Sequence, residues 1–177
     1  MHALLQLADA IDAANRRIGR ATVWLVLAAV LVSAATATLR YALDWGSNSL
    51  IEIQWALFGM VFLLCAPWTL QEHGHVRIDL ISARLPARAR VAIDIAGGLL
   101  FLLPVCLLIV YDSWAYFLIA YGQGERSPNP GGLPWWPMKA LIPFAFGLLA
   151  LQGVSEVVKG IAVLTGHRRV PPPRAGH

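Results

Sequence analysis

A chain of 177 residues is sized for one domain, but 58% hydrophobic and only 14% charged residues exclude an ordinary soluble one, where about a quarter of positions carry charge. Its net charge of +4 sits mostly on arginines in short segments flanking apolar blocks. That placement fits a membrane surface and argues against nucleic acid as a partner.

Four apolar blocks follow in order. The first covers 21–39, carries no charge, and is preceded by a 1–20 tail holding Arg16, Arg17 and Arg20. Ala35-Thr36-Ala37 resembles a signal-peptide cleavage site, but the apolar run exceeds the usual ~7–15 residues of such peptides, so a retained span is the better reading. The second block covers 50–70, with Glu52 near its start; the third covers 91–111, with Asp94 in its first turn; the fourth covers 137–158. Each is close to the roughly 20 residues needed to cross a hydrocarbon core about 30 Å thick. Each must be helical, because a lone strand would leave its backbone polar groups unpaired in lipid. The third block does not stop cleanly. Ser113 to Tyr121 is aromatic and apolar again, so this helix is either long and tilted or bent at the interface. The fold class is therefore an all-α membrane protein, a single membrane domain over 1–177 with four transmembrane helices.

The basic residues set an expected orientation. Arg16, Arg17, Arg20, Arg77, Arg84, Arg88, Arg90, Lys159, Arg168, Arg169 and Arg174 flank one side, against Arg40, Arg126 and Lys139 on the other. The positive-inside rule places both termini and the second loop in the cytoplasm, and loops one and three in the periplasm of a Gram-negative cell.

The loops carry more detail. In the second, Ile78, Ile81 and Leu85 share a helical face while Arg77, Arg84 and Arg88 lie largely off it. The pattern fits a short amphipathic helix over 76–85 lying in the interface, with a solvated basic loop as the alternative. Pro86 ends that segment and opens the third helix as its first residue. The third loop, 122–136, is rich in breakers: Gly122, Gly124, Pro128, Pro130, Gly131, Gly132 and Pro134. Trp135 and Trp136 follow, either as an aromatic belt at headgroup level or as part of an ordered periplasmic surface that docks another protein. The 167–177 tail, with Pro171-Pro172-Pro173, is expected to be disordered.

Chemistry inside a membrane needs polar groups at depth. Glu52 and Asp112 read as lying near the outer ends of the second and third spans, and Asp94 and Glu156 near inner ends. Gln54 and Gln152 read as shallow. Interfacial snorkelling or pairing between helices is the expected role of each. Cys65 and Cys106 lie in apolar blocks outside any CxxC and read as small buried side chains. His2, His73, His75, His167 and His177 all fall outside the spans, which disfavours a haem held between two histidines; a quinone site stays open. His73 and His75, near Glu72 and Asp79, do not form a recognised metal set, and interfacial hydrogen bonding is the better reading. Walker A, nucleophile-elbow and metalloprotease patterns are missing from the sequence, and no cofactor is expected.

Several segments together resemble a known family. They are Arg40-Tyr41 after the first span, the Ser-rich run to Glu52 and Trp55, and Phe58 and Phe62 in the second span. His75-Val76-Arg77-Ile78-Asp79 follows, then Gly131-Gly132-Leu133-Pro134-Trp135, Lys139 and Ile142-Pro143. In this order on four spans, the chain resembles the small membrane subunit (DctQ-like) of tripartite ATP-independent periplasmic (TRAP) transporters. The resemblance implies a non-catalytic scaffold in the bacterial inner membrane. It would be partnered by a large membrane subunit that moves an organic acid by a sodium-driven elevator motion, and by a periplasmic substrate-binding protein. Sodium would bind the large subunit. The segment from Ser127 to Trp135 looks most like members handling mannitol or chloroaromatic acids. On this reading Arg77, Arg84, Arg88, Trp135 and Trp136 meet lipid and the interface. Glu52, Trp55, His75, Asp79 and Lys139 serve subunit or helix packing, and Ser127, Gly131, Gly132 and Pro134 help seat the binding protein. The alternatives are a membrane anchor for a quinone- or haem-linked redox enzyme and a stand-alone four-helix carrier.

Overall fold

A segment that crosses lipid has to pair its backbone groups within itself, and the four apolar blocks do so as helices. The computed structural model describes residues 1–72 and 85–167. Helix α1 spans His2–Leu43, α2 Asn48–Gln71, α3 Ala87–Gly122 and α4 Trp136–Leu164, and all four are long and apolar enough to cross a membrane. No strand is formed among the described residues. The fold is thus all-helical with four membrane-spanning helices, as the composition requires.

Helices α1, α3 and α4 run well past their apolar blocks, α4 as far as Leu164. Helix α1 begins at His2, so the segment before the first block is helical and continuous with it. Its buried residues Ala8, Asn15, Gly19, Thr22 and Ala29 fall on one stripe that runs through both parts, and packing along this stripe carries the helix past the apolar run. Asp44, in a left-handed conformation at φ 47°, ends it, a conformation that a short polar side chain tolerates. Helix α3 resolves the ambiguity after the third block in favour of one long helix. It runs unbroken through Ser113–Tyr121 to Gly122, so Asp112 lies ten residues inside its end rather than near it. Pro86 stands at the N-cap, one residue before the first helical position. The expected interfacial helix over 76–85 lies almost wholly outside the described residues, as does the tail from 168 on.

Helix α3 widens to a π-helix over Gly98–Leu102. Pro104 explains it. Its ring has no N–H to donate and crowds the carbonyl four residues back, and a widened turn relieves that contact.

Helix α4 is the centre of the bundle and touches the other three. In its most apolar stretch 39% of residues are buried, against 6–11% in the others, which are therefore covered mainly on one side. Close approach is made by glycines. A Cβ on Gly153 would lie 2.9 Å from Leu102, one on Gly160 2.8 Å from Ile95, and one on Gly19 of α1 2.7 Å from the Trp68 ring of α2. Lipid supplies no hydrophobic drive between helices, so such small-residue contacts, with interhelical hydrogen bonds, hold the bundle together.

Candidate functional site

Two polar assemblies hold opposite ends of the bundle. At the end carrying the α3–α4 loop, Glu52 is the fifth residue of α2, just past its first turn, and is 6% exposed. Its carboxylate accepts from Ser127 Oγ, from Asn129 Nδ2 at 3.0 Å and from the Leu133 backbone N–H at 2.8 Å. Asn48 Nδ2 donates to the Pro130 carbonyl at 3.2 Å, and Ser49 Oγ donates to that of Gly131. One turn of α2 therefore grips both arms of the loop.

The loop is folded in itself, although it contains no helix. Trp135 N–H donates to the Glu125 carbonyl at 3.0 Å, Ser127 N–H to that of Leu133 at 2.9 Å and Gly132 N–H to that of Asn129 at 2.9 Å. Arg126 and Pro134 face each other in an antiparallel bridge. Gly131 turns the chain at φ 73°, which glycine adopts without penalty. Gly132 is equally constrained, since a Cβ there would sit 2.4 Å from that of Ser127. At the base of the loop, buried Lys139 forms an ion pair with Glu125, and its ammonium stands 3.8 Å from the centre of the Tyr116 ring. Tyr121 and Trp136 meet edge to face at 5.3 Å. These contacts tie the end of α3 to the start of α4.

At the other end, α1 meets α4 through a network centred on Gln152, which is fully buried. Its carbonyl accepts from Asn15 Nδ2 at 2.8 Å, and its amide donates to Asp12 Oδ1 and to Glu156 Oε1, both at 3.1 Å. Ser155 Oγ donates to Asp12 at 2.7 Å and lies 3.1 Å from the Ala8 carbonyl. Lys159 pairs with Asp12 and, at 2.9 Å, with Glu156. The polar groups at the two ends of the bundle are thus used to join this chain's own helices and loop.

The residues singled out from sequence fall into distinct places. Glu52, Ser127 and Lys139 are drawn into the loop-end assembly, with Gly131 and Gly132 shaping its turn. Pro134 and Trp135 are exposed beside it, and Trp136 is half-buried. Trp55 faces outward at 64% exposure, with Phe58 and Phe62 beside it on the same side of α2. Arg88 is exposed in the first turn of α3. His75, Arg77, Asp79 and Arg84 lie outside the described residues. Cys106 is buried, and Cys65 Sγ lies 2.7 Å from Thr22 Oγ1. Among the described residues no three His, Cys, Asp or Glu side chains gather as a metal site.

Sequence reasoning missed Asp12, Asn15, Ser155 and Glu125. A signal for the first two was present: Ala8, Asp12, Asn15, Gly19 and Thr22 recur at intervals of three or four as one small or polar stripe. Glu125 carried none, because its partnership with Lys139 depends on the fold of the loop.

The family model for the DctQ component of tripartite ATP-independent periplasmic transporters matches residues 29–163. A search of curated proteins finds no match.

Proposed function

The chain belongs to the DctQ family, the small membrane subunit of TRAP transporters, and on that premise we propose that it is a fixed scaffold for the transporter's large membrane subunit. The observation that carries this reading is how the polar groups are used. Glu52, Lys139 and Gln152 hold this chain's own helices and loop together, while 6–11% burial leaves the apolar faces of three helices available to lipid and to a partner. A scaffold needs internal rigidity and a broad apolar flank.

The finer parts of the reading follow from the same features. The termini and the second loop face the cytoplasm, as the excess of arginine there favours, and the α3–α4 loop faces the periplasm of a bacterial cell. There the Glu52-held turn, with Pro128, Asn129, Pro130 and Gly131 exposed at its tip, helps seat a substrate-binding protein. Trp55 with its outward aromatic neighbours contributes to the membrane flank. Arg77, Arg84 and Arg88 meet anionic lipid at the inner surface, where each basic residue is worth about 1 kcal/mol, and His75 and Asp79 serve subunit or helix packing. Sodium coupling and recognition of an organic acid belong to the partners.

Reconstitution by omission tests the proposal. Vesicles holding the large subunit, this chain and the binding protein should accumulate solute under a sodium gradient, and vesicles without this chain should not. Equal uptake with and without it would sink the scaffold role.

A further inference from the structure

The span of α3 holds one charge that the bundle does not use. From Ile95 to Gly124 the only charged residue is Asp112. It is exposed, and no hydrogen bond or ion pair joins it to any described residue. The buried residues of α3, Cys106, Ser113 and Ala120, repeat every seven positions on the side facing α4. Asp112 is set off from that stripe, among exposed Phe101, Leu108 and Ile119. Asp112 itself lines a shallow recess together with Leu107, Tyr111, Trp114, Ala115 and Leu118.

Its depth follows from the helix register. Tyr121 packs on Trp136, which with Trp135 marks the headgroup level. Asp112 lies nine residues inward of Tyr121, about 14 Å at 1.5 Å per residue. Arg90 lies 22 residues further, about 33 Å, so the stretch between the two markers is about 47 Å, which a modest tilt fits to the roughly 40–45 Å of a bilayer with its headgroups. Asp112 therefore lies roughly one helical turn inside the hydrocarbon core, which is about 30 Å thick. A lysine or arginine at that depth would snorkel to the interface, but an aspartate, with one methylene, has no such reach. A carboxylate facing acyl chains is costly, and ionisable residues in spans normally face protein or a watery cavity.

We infer that the outward face of α3 around Asp112 is the contact surface for a transmembrane helix of the large subunit, and that this helix brings a lysine or arginine to the Asp112 carboxylate. Charge complementarity selects the occupant: lipid tails offer Asp112 nothing, and a basic side chain offers both charge and hydrogen bonds. The Ala115 recess admits a side chain of the approaching helix between Tyr111 and Trp114. The inference rests on the proposed pairing with a large subunit.

The test is co-expression of the tagged chain with its large subunit, capture from mild detergent, and photo-cross-linking from residue 115, with Trp24 on the exposed side of α1 as the control position. Asp112→Leu should lower capture of the large subunit at least tenfold, Asp112→Asn less, and Asp112→Lys should abolish it. The melting temperature of each variant purified alone should not fall, because Asp112 supports nothing within the chain. The cross-link from 115 should map near a basic residue, and exchanging that residue for Glu should restore capture by Asp112→Lys. Undiminished capture by the leucine and lysine variants would overturn the inference, as would cross-links from 115 only to lipid or to a second copy of this chain. If the unaltered chain captures no large subunit, the scaffold reading fails first and the inference falls with it.

Discussion

Replacing Gln152 with leucine removes the hub of the α1–α4 joint while keeping a side chain of similar size. Three hydrogen bonds are lost, to Asn15 at 2.8 Å and to Asp12 and Glu156 at 3.1 Å each. The two that cross to α1 average about 0.6 kcal/mol each, and the third, to Glu156, lies within α4 and adds about 0.2–0.5 kcal/mol, so the three sum to roughly 1.5 kcal/mol. Asn15, 2% exposed, is then left with a buried amide and no acceptor, a cost of about 1–3 kcal/mol that overlaps the first sum. Gln152→Leu should therefore destabilise the chain by about 2–4 kcal/mol. Asn15→Leu alone should cost less, because Gln152 keeps both amide bonds. The double variant should cost less than the two singles added, since neither partner is then stranded. Reversible unfolding in mixed micelles, followed by tryptophan fluorescence, measures all three. Additive losses, each under about 0.5 kcal/mol, would show that the network is not the joint described here.

Glu52→Ala should release the α3–α4 loop, so that trypsin cuts after Arg126 several-fold faster and backbone amides over 125–135 exchange faster, with Ser127→Ala having a smaller effect; equal protection would remove Glu52 as the clasp. Gly19→Ala should cost about 1–3 kcal/mol by pressing on Trp68, measured by the same unfolding assay. Gly147→Ala, with open space where its Cβ would go, should be neutral or slightly stabilising through helix propensity. A reporter that is active only in the cytoplasm should function when fused to the C-terminus and be silent when inserted in the α3–α4 loop; the reverse pattern would invert the topology.

The four helices were legible because a span leaves a long, uninterrupted apolar signature, and lipid forbids any other backbone solution for it. Their ends were less so. Helix α1 reaches back to His2 on packing against α4, which a hydropathy reading does not register. Helix α3 passes Asp112 because the aromatic run Ser113–Tyr121 is as helical as the block before it, and one carboxylate does not end a helix. At the loop end, Glu52, Lys139 and the glycines stood out by residue type, but that Ser127, Asn129 and Leu133 converge on one carboxylate follows from how the loop closes. At the other end, Asp12 and Lys159 are 147 positions apart, and only the crossing of α1 on α4 joins them.

The most direct measurement of the scaffold role is the mass and composition of the complex that this chain forms when purified gently from membranes in which all the transporter's genes are expressed. A scaffold subunit predicts a stoichiometric assembly with one much larger, many-span membrane protein, retained through size-exclusion chromatography and lost when the apolar flank of α3 is altered. Recovery of the chain alone, or in association with a redox enzyme, would contradict it.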